Sequence, residues 1–268
     1  MYKAVFIDMD GTLLQSNHTV SVATKHVIHQ LTSNGILVVP VSARPLHGML
    51  PITGHVFPAH NPIVSLNGSY ILQNDKIVFD AAVQPADALA IHDEIKGEDV
   101  SVMYYSRMEW FADVETTLVK KEQKITPVKI IIQPFEQTVE YWRQHNGGVN
   151  KILIAGDKDL ILEVEEKLLQ QHKGKLNIYK SQPRYLEVMN PGASKTKAIQ
   201  FLLNQYNITP DEIIAIGDNY NDKEMIAFAG KGIAMGNAPD DIKSVAGYVT
   251  DTNNNDGVAK ALKHFFSL

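Results

Sequence analysis

From its fourth residue onward the chain alternates short apolar β-rich runs with longer stretches of helical periodicity, almost from end to end. Parallel strands need crossovers long enough to hold a helix, so this alternation predicts an α/β fold on a mostly parallel sheet. Runs such as Ile36-Leu37-Val38-Val39-Pro40-Val41 are apolar on both faces, as strands covered by helices on either side must be. The spacing predicts strands over 4–7, 36–41 and 62–66. Between the first two it predicts a helix capped by Ser21, running to Asn34 and stopped by Gly35. Asn67-Gly68 and Asn74-Asp75 read as turns around short antiparallel strands over 70–72 and 77–79.

From about Pro85 the pattern changes. Helices are expected over 85–96, 115–122, 135–146 and 158–171, and strands over 100–105, 109–113, 127–132, 150–155, 175–180 and 184–189. That is an α+β unit with its own core. After Pro191-Gly192 the alternation resumes, with helix 194–206, strand 213–217, helix 221–229, strand 232–235 and a last helix over 256–266. A chain of 268 residues is long enough for about two domains. The expectation is a doubly wound, Rossmann-like core made of 1–82 and 187–268, interrupted by an inserted cap of 83–186.

Composition narrows the chemistry. With no cysteine, disulfides, Cys-ligated metals and thiol nucleophiles are excluded. Lys and Arg number 25 against 30 Asp and Glu, a net charge of −5, and no basic run interrupts this balance. Nucleic-acid and anionic-membrane partners need a clustered basic face, so neither is expected and small molecules are. The apolar start of the chain is too short for a signal peptide, and no run approaches the ~20 apolar residues that span a bilayer. A cytoplasmic protein is expected.

Three motif-like stretches fail on inspection. Gly192-Ala193-Ser194-Lys195-Thr196 has Ser194 where a phosphate-binding P-loop needs glycine. The glycines of Gly230 to Gly236 are spaced one residue too wide for a dinucleotide fingerprint and enter a strand instead of leaving one. Asp251 to Leu262 lacks both the sixth-position glycine and the twelfth-position glutamate of a calcium loop.

Asp8-Met9-Asp10-Gly11-Thr12 is different, because it follows a buried strand immediately. Ligands of open α/β sheets bind at the carboxyl ends of strands, where both carboxylates are delivered. Two acids so close repel each other unless a cation or proton lies between them, although a plain strand-end turn would also use them. A second acidic cluster shifts the balance: Gly217-Asp218-Asn219-Tyr220-Asn221-Asp222 follows another buried strand. Carboxylates and carbonyls are the ligands Mg²⁺ prefers, and two such clusters on two strand ends favour a metal over chance turns. Val41-Ser42-Ala43-Arg44 offers a hydroxyl and turn amides at a third strand end, as a phosphate contact or an ordinary helix cap. Lys195 falls in the first turn of a helix, a poor place for a cation without an anion nearby. Tyr104, Tyr105, Trp110 and Phe111 could line a substrate face or pack the inserted sheet. His26 and His29 share a helix face, for which the surface is the better assignment.

Taken in order, these four motifs resemble the haloacid dehalogenase superfamily, and within it the Cof-like sugar phosphatases with a large α/β cap. Gly232 to Ala238 and Asp256 to Ala259 are similar to that family's late segments, and the insertion lies where its cap belongs. The resemblance implies a Mg²⁺-dependent phosphatase of small phosphorylated metabolites, acting through an aspartyl-phosphate on Asp8. It gives Asp10 the acid/base role and makes Asp8, the Asp10 carbonyl and Asp218 metal ligands. Lys195, Ser42, the amides of Met9 and Ala43, and Asn221 would hold the phosphate, with Asp222 orienting Lys195 or the metal's waters. Arg44 and Arg184 are candidates for substrate selection. A phosphomutase of the same superfamily and a non-catalytic metabolite-binding regulator are the alternatives. Placing a nucleophile opposite an acid is of no use to a pure binder, which argues against the latter.

Overall fold

The computed structural model describes residues 1–125 and 128–268. The chain first lays down β1 (Ala4–Asp8), α1 (Val22–Ser33), β2 (Leu37–Val41), α2 (Leu46–Thr53), β3 (Ile63–Ser65), β4 (Tyr70–Gln73) and β5 (Lys76–Asp80). Next come α3 (Pro85–Ile95), β6 (Ser101–Ser106), β7 (Glu109–Ala112), α4 (Thr117–Ile125), β8 (Ile131–Ile132) and α5 (Phe135–Gln144). They are followed by β9 (Lys151–Ala155), α6 (Lys158–His172), β10 (Asn177–Gln182) and β11 (Tyr185–Met189). It ends with α7 (Lys195–Tyr206), β12 (Ile213–Gly217), α8 (Lys223–Phe228), β13 (Lys231–Ala234), α9 (Asp240–Lys243), β14 (Tyr248–Val249) and α10 (Gly257–Phe266).

These elements form two compact units, Met1–Arg44 with Met49–Phe79 and Ser194–Leu268, and Pro45–Gly48 with Asp80–Ala193. The division falls after Phe79 and after Ala193, not after 82 and 186. The reason at the second break is β11, which pairs antiparallel with both β9 and β10 and so carries the chain through the second unit's sheet before it leaves.

The first unit is an α/β layer structure on an eight-stranded sheet of order β14-β13-β12-β1-β2-β3-β4-β5. Strand β1 pairs in parallel with β2 and β12, and β12 with β13. Alternation along β1 and β12 splits the apolar residues between two cores. Val5, Ile7, Ile214 and Ile216 pack with α1 and α10 through Val27, Ile28, Leu31 and Leu262. Ala4, Phe6, Ile213 and Ala215 pack with α7 and α8 through Ile199, Leu202 and Met225. Each central strand is therefore dry on both faces, which is why these runs are continuously apolar. Asn74 and Asp75 both take positive φ between β4 and β5, as their turn requires.

The second unit has a six-stranded sheet of order β10-β11-β9-β6-β7-β8. The four aromatics of β6 and β7 sort by strand alternation, since Tyr104 lies opposite Phe111 and Tyr105 opposite Trp110. Tyr104 and Phe111 join the helical core with Phe135 and Trp142. Tyr105 and Trp110 stack on each other at 5.5 Å, and the Lys151 ammonium lies 4.7 Å from the Tyr105 ring. The strand expected over 127–132 is seen only as Ile131–Ile132; residue 127 lies outside the described residues. No helix of the described residues is long and apolar enough to cross a membrane.

Candidate active site

Parallel pairing sets Ile7 beside Ile216 and Asp8 beside Val41, so β1, β2 and β12 end at one edge of the sheet. Asp8, Ser42 and Asp218 leave the strands there. Lys195, the first residue of α7, completes the group. Its ammonium lies 2.6 Å from Asp8 Oδ1 and 2.6 Å from Asp222 Oδ1, with the lysine side chain 1% exposed. A surface lysine is thus not what this position holds. Burial alone would push the Lys195 pKa down, but the Asp222 and Asp8 carboxylates outweigh it and raise it, so the ammonium stays charged.

Asp222 is fully buried and engaged on both oxygens, since Oδ2 accepts from the Asp218 and Asn219 amides at 3.0 and 3.1 Å. It holds Lys195 and the Asp218 turn in place. Asp8 is held well above the usual carboxylate range, by burial first and by the Asp222 charge second, against the opposing pull of Lys195. Its Oδ2 takes no hydrogen bond among the described residues. Asp218 is pushed up to about 6, chiefly by burial, although Thr12 Oγ1 donates to its Oδ1 at 2.7 Å and pulls the other way.

One carboxylate oxygen each of Asp8, Asp218 and Asp222 lies within 4.8 Å of the others. An all-oxygen donor set in which two carboxylates are raised by crowding and burial fits a hard divalent cation, whose charge would relieve both. Among the described residues this is the one such acidic or histidine cluster, and His26 and His29 are exposed on α1.

Asp10 does not join that cluster through its carboxylate. Its two oxygens are forked by Arg44, Nε to Oδ2 at 2.7 Å and Nη2 to Oδ1 at 2.6 Å. The Arg44 amide donates to Ser42 Oγ at 3.1 Å, which ties the second strand end to the first. Arg44, a candidate for substrate selection, grips Asp10 here. Met9 is buried in the core. Ala43 is half-buried in the turn after β2, and Asn221 is exposed at the turn after β12. Arg184 belongs to the second unit, in the turn between β10 and β11, where its Nε donates to the Gly156 carbonyl at 2.9 Å.

Three further contributors were not singled out by the sequence. Thr12 and Asn237 brace Asp218, the latter at 3.4 Å while also donating to the Gly11 carbonyl at 2.8 Å. Both lie inside stretches that carried the family resemblance, so a signal was present. Asn67 accepts from Asn221 Nδ2 at 3.2 Å. It reads in sequence only as half of a turn.

That turn is unusual. Leu66, Asn67 and Gly68 all have positive φ, and a Cβ on Gly68 would lie 2.2 Å from the Ser194 carbonyl oxygen and 2.9 Å from the Lys195 amide. Only glycine lets the chain pass so close to the start of α7. Gly68→Ala is expected to lose about 2 kcal/mol or more in denaturant unfolding of the first unit, since strain at positive φ adds to a backbone clash. Catalysis should suffer with it because Lys195 is what moves. Unchanged stability and kcat would show that the contact does not position α7.

Comparison with known proteins shows the family of the chain. A family described as haloacid dehalogenase-like hydrolase matches residues 5–262. A Haemophilus influenzae relative, placed by name among the phosphatases, is 40% identical and aligns over 99% of this chain and 99% of its own. The 5-amino-6-(5-phospho-D-ribitylamino)uracil phosphatase YitU of Bacillus subtilis is 28% identical over 98% of this chain and 97% of its own. The crystal structure of a haloacid dehalogenase-like hydrolase from Bacteroides thetaiotaomicron superposes with a TM-score of 0.90 at 30% identity, covering 99% of this chain and 100% of that one.

Proposed function

The chain belongs to the haloacid dehalogenase-like hydrolases and is a phosphatase, and from that premise we propose that it hydrolyses phosphate monoesters of small metabolites, sugar phosphates foremost, with Asp8 as nucleophile and Mg²⁺ as metal. The observation that carries this reading is Asp8 itself, buried, held on one oxygen by Lys195 and open on the other. A carboxylate fixed on one side presents the remaining lone pairs in a single direction, which is what in-line attack on phosphorus needs. That YitU is named for a phosphorylated sugar-alcohol derivative supports the choice of substrate class.

In the first step Asp8 Oδ2 bonds to phosphorus as the ester P–O bond breaks, and Asp10 gives a proton to the departing oxygen. In the second, Asp10 takes a proton from water as that water bonds to phosphorus and Asp8 is released. Two anions must meet in the first step, so neutralisation decides the rate. Lys195 supplies part of it, already charged and already in contact with Asp8. Mg²⁺ bound by Asp8, Asp218 and the Asp10 carbonyl would supply further positive charge against the phosphate oxygens. Ser42, Asn221 and the amides of Met9 and Ala43 hold the phosphoryl group. Asp10 serves only after its carboxylate leaves the Arg44 fork, so Arg44 controls when the acid is available. These groups see a phosphoryl group common to all monoesters, and selection among leaving groups is assigned to the second unit.

Phosphate release from a panel of monoesters, with Mg²⁺ and with EDTA, tests the reading. Turnover of sugar phosphates that is lost in chelator and restored by Mg²⁺ is expected. Full activity in chelator refutes the metal, and transfer to a second sugar hydroxyl in place of water would make the enzyme a mutase. The metal requirement should also depend on pH. Because Asp218 in the metal-free protein titrates at about 6, the metal must displace a proton below that pH. The Mg²⁺ concentration for half-maximal rate should rise by about tenfold or more per pH unit below about 6, since Asp8, also held above the usual carboxylate range, adds to the proton release. A requirement independent of pH between 5 and 7 would remove Asp218 as a ligand.

A further inference from the structure

The loop before α10, Asp251 to Asp256, fails as a calcium loop in the sequence, and none of the chemistry above uses it. Its middle residues reach back to the segment that follows β1. Asn253 Nδ2 donates to the Leu14 carbonyl at 2.8 Å, and Asn254 exchanges two hydrogen bonds with Ser16, each 2.9 Å long. The Asn253 amide donates at 3.0 Å to Oδ1 of Asn237, in the turn after β13. Three loops far apart in sequence are thereby joined within the first unit.

The Asn253 amide decides which way the Asn237 side chain faces. An oxygen must meet that N–H, so the NH₂ group lies on the other side; a reversed side chain would set donor against donor and oxygen against two acceptors. The two hydrogens of Nδ2 serve the Gly11 carbonyl at 2.8 Å and Asp218 Oδ2 at 3.4 Å. Gly11 and Asp218 are already in contact, since Gly11 has φ +80° and a Cβ there would lie 2.3 Å from Asp218 Oδ2. With Thr12 Oγ1 on Oδ1 at 2.7 Å, the Asp218 carboxylate takes a donor on each oxygen and is not free to swing. Asn237, which is no member of the acidic cluster, thus fixes one of its carboxylates against the turn that carries Asp10.

We propose that Asn237 is a positioning residue for the metal site, holding Asp218 and the Asp10–Gly11 turn at a fixed separation that makes the site prefer Mg²⁺ to Ca²⁺. The proposal rests on the reading of Asp8, Asp218 and the Asp10 carbonyl as metal ligands. Mg²⁺ demands short bonds in near-ideal octahedral geometry, whereas Ca²⁺ accepts longer bonds and irregular ligand sets. A carboxylate held on both oxygens suits the first ion, and one that swings suits the second. Groups that orient a metal ligand without touching the metal commonly carry about tenfold or more of the affinity.

Metal binding without substrate tests the proposal, read from the Gly11 and Asp218 backbone amide resonances as the ¹⁵N-labelled full-length protein is titrated with MgCl₂ or CaCl₂. Asn237 is exposed and its φ is not positive, so alanine fits there without loss of core contacts. Asn237→Ala is expected to raise the Mg²⁺ dissociation constant by about tenfold and the Ca²⁺ constant by much less, so that the preference for Mg²⁺ collapses. A merely structural role would weaken both ions alike, and that result overturns the proposal. So does a wild-type protein that binds both ions equally well. Asn254→Ala cuts the loop from the Ser16 side chain and leaves every contact of Asn237 in place, so it should keep the wild-type preference. If it copies Asn237→Ala, slackness of the loop sets the site and Asn237 does not. Wild-type protein that takes up neither ion overturns the metal reading and this proposal together, whereas wild-type binding that Asn237→Ala leaves unchanged overturns this proposal alone.

Discussion

Asp8→Asn is expected to cut phosphatase turnover by roughly 10⁴-fold or more while the protein stays folded. An amide keeps the shape of the carboxylate but cannot bond to phosphorus. The fold survives for a reason visible in the ion pairs: Lys195 touches Asp222 as closely as Asp8, 2.6 Å in each case, so the buried ammonium keeps one partner. The variant also removes a carboxylate that burial and the Asp222 charge both disfavour, which offsets the lost contact. Steady-state kinetics and thermal unfolding on one preparation separate the two effects. Turnover within about a hundredfold of wild type would end the nucleophile assignment.

Lys195→Met makes the opposite trade. It preserves length and apolar contacts but leaves the carboxylates of Asp8 and Asp222 buried without their shared cation. Removing one partner of a buried ion group costs about 3–5 kcal/mol, and activity should fall with it, since the charge that lets Asp8 approach a phosphate is gone. The deficit should follow pH in a definite direction. Asp8 titrates above its unfolded value even with Lys195 present, and losing the lysine raises it further. A group raised on folding favours its protonated form in the fold, so its cost is absent at low pH and appears as pH rises. The stability gap between wild type and variant should therefore widen from about pH 4 toward neutrality. A gap that narrows over that range would mean that Lys195 does not balance these carboxylates.

Much of this was legible before any coordinates, because the features concerned are local. Strands buried on both faces betray themselves as unbroken apolar runs, and Asp8 and Asp218 stand out in the sequence because each follows such a run at once. What stayed hidden depends on partners distant in sequence. Nothing near Lys195 says that it is buried, since both its carboxylates arrive from 27 and 187 positions away. Nothing near Arg44 announces its contact with Asp10, 34 residues earlier. Asn67 carried only a turn signal, and its link to Asn221 spans 154 residues. Elements of low periodicity, such as α2 with Pro51 inside it and the two-residue β14, also escaped pattern reading.

The order of strands in the first sheet bears on how the chain is made. Strand β1 is synthesised first but lies between β2 and β12, so one side of it stays unpaired until residue 217 has left the ribosome. The second unit is, apart from Pro45–Gly48, a continuous run from Asp80 to Ala193, and its six strands need nothing from the last quarter of the chain. During translation the second unit's sheet is complete in sequence before that of the first unit is. The nascent first half must meanwhile keep an apolar strand from premature pairing, and a stop codon after residue 193 would release a chain whose β1 edge never closes.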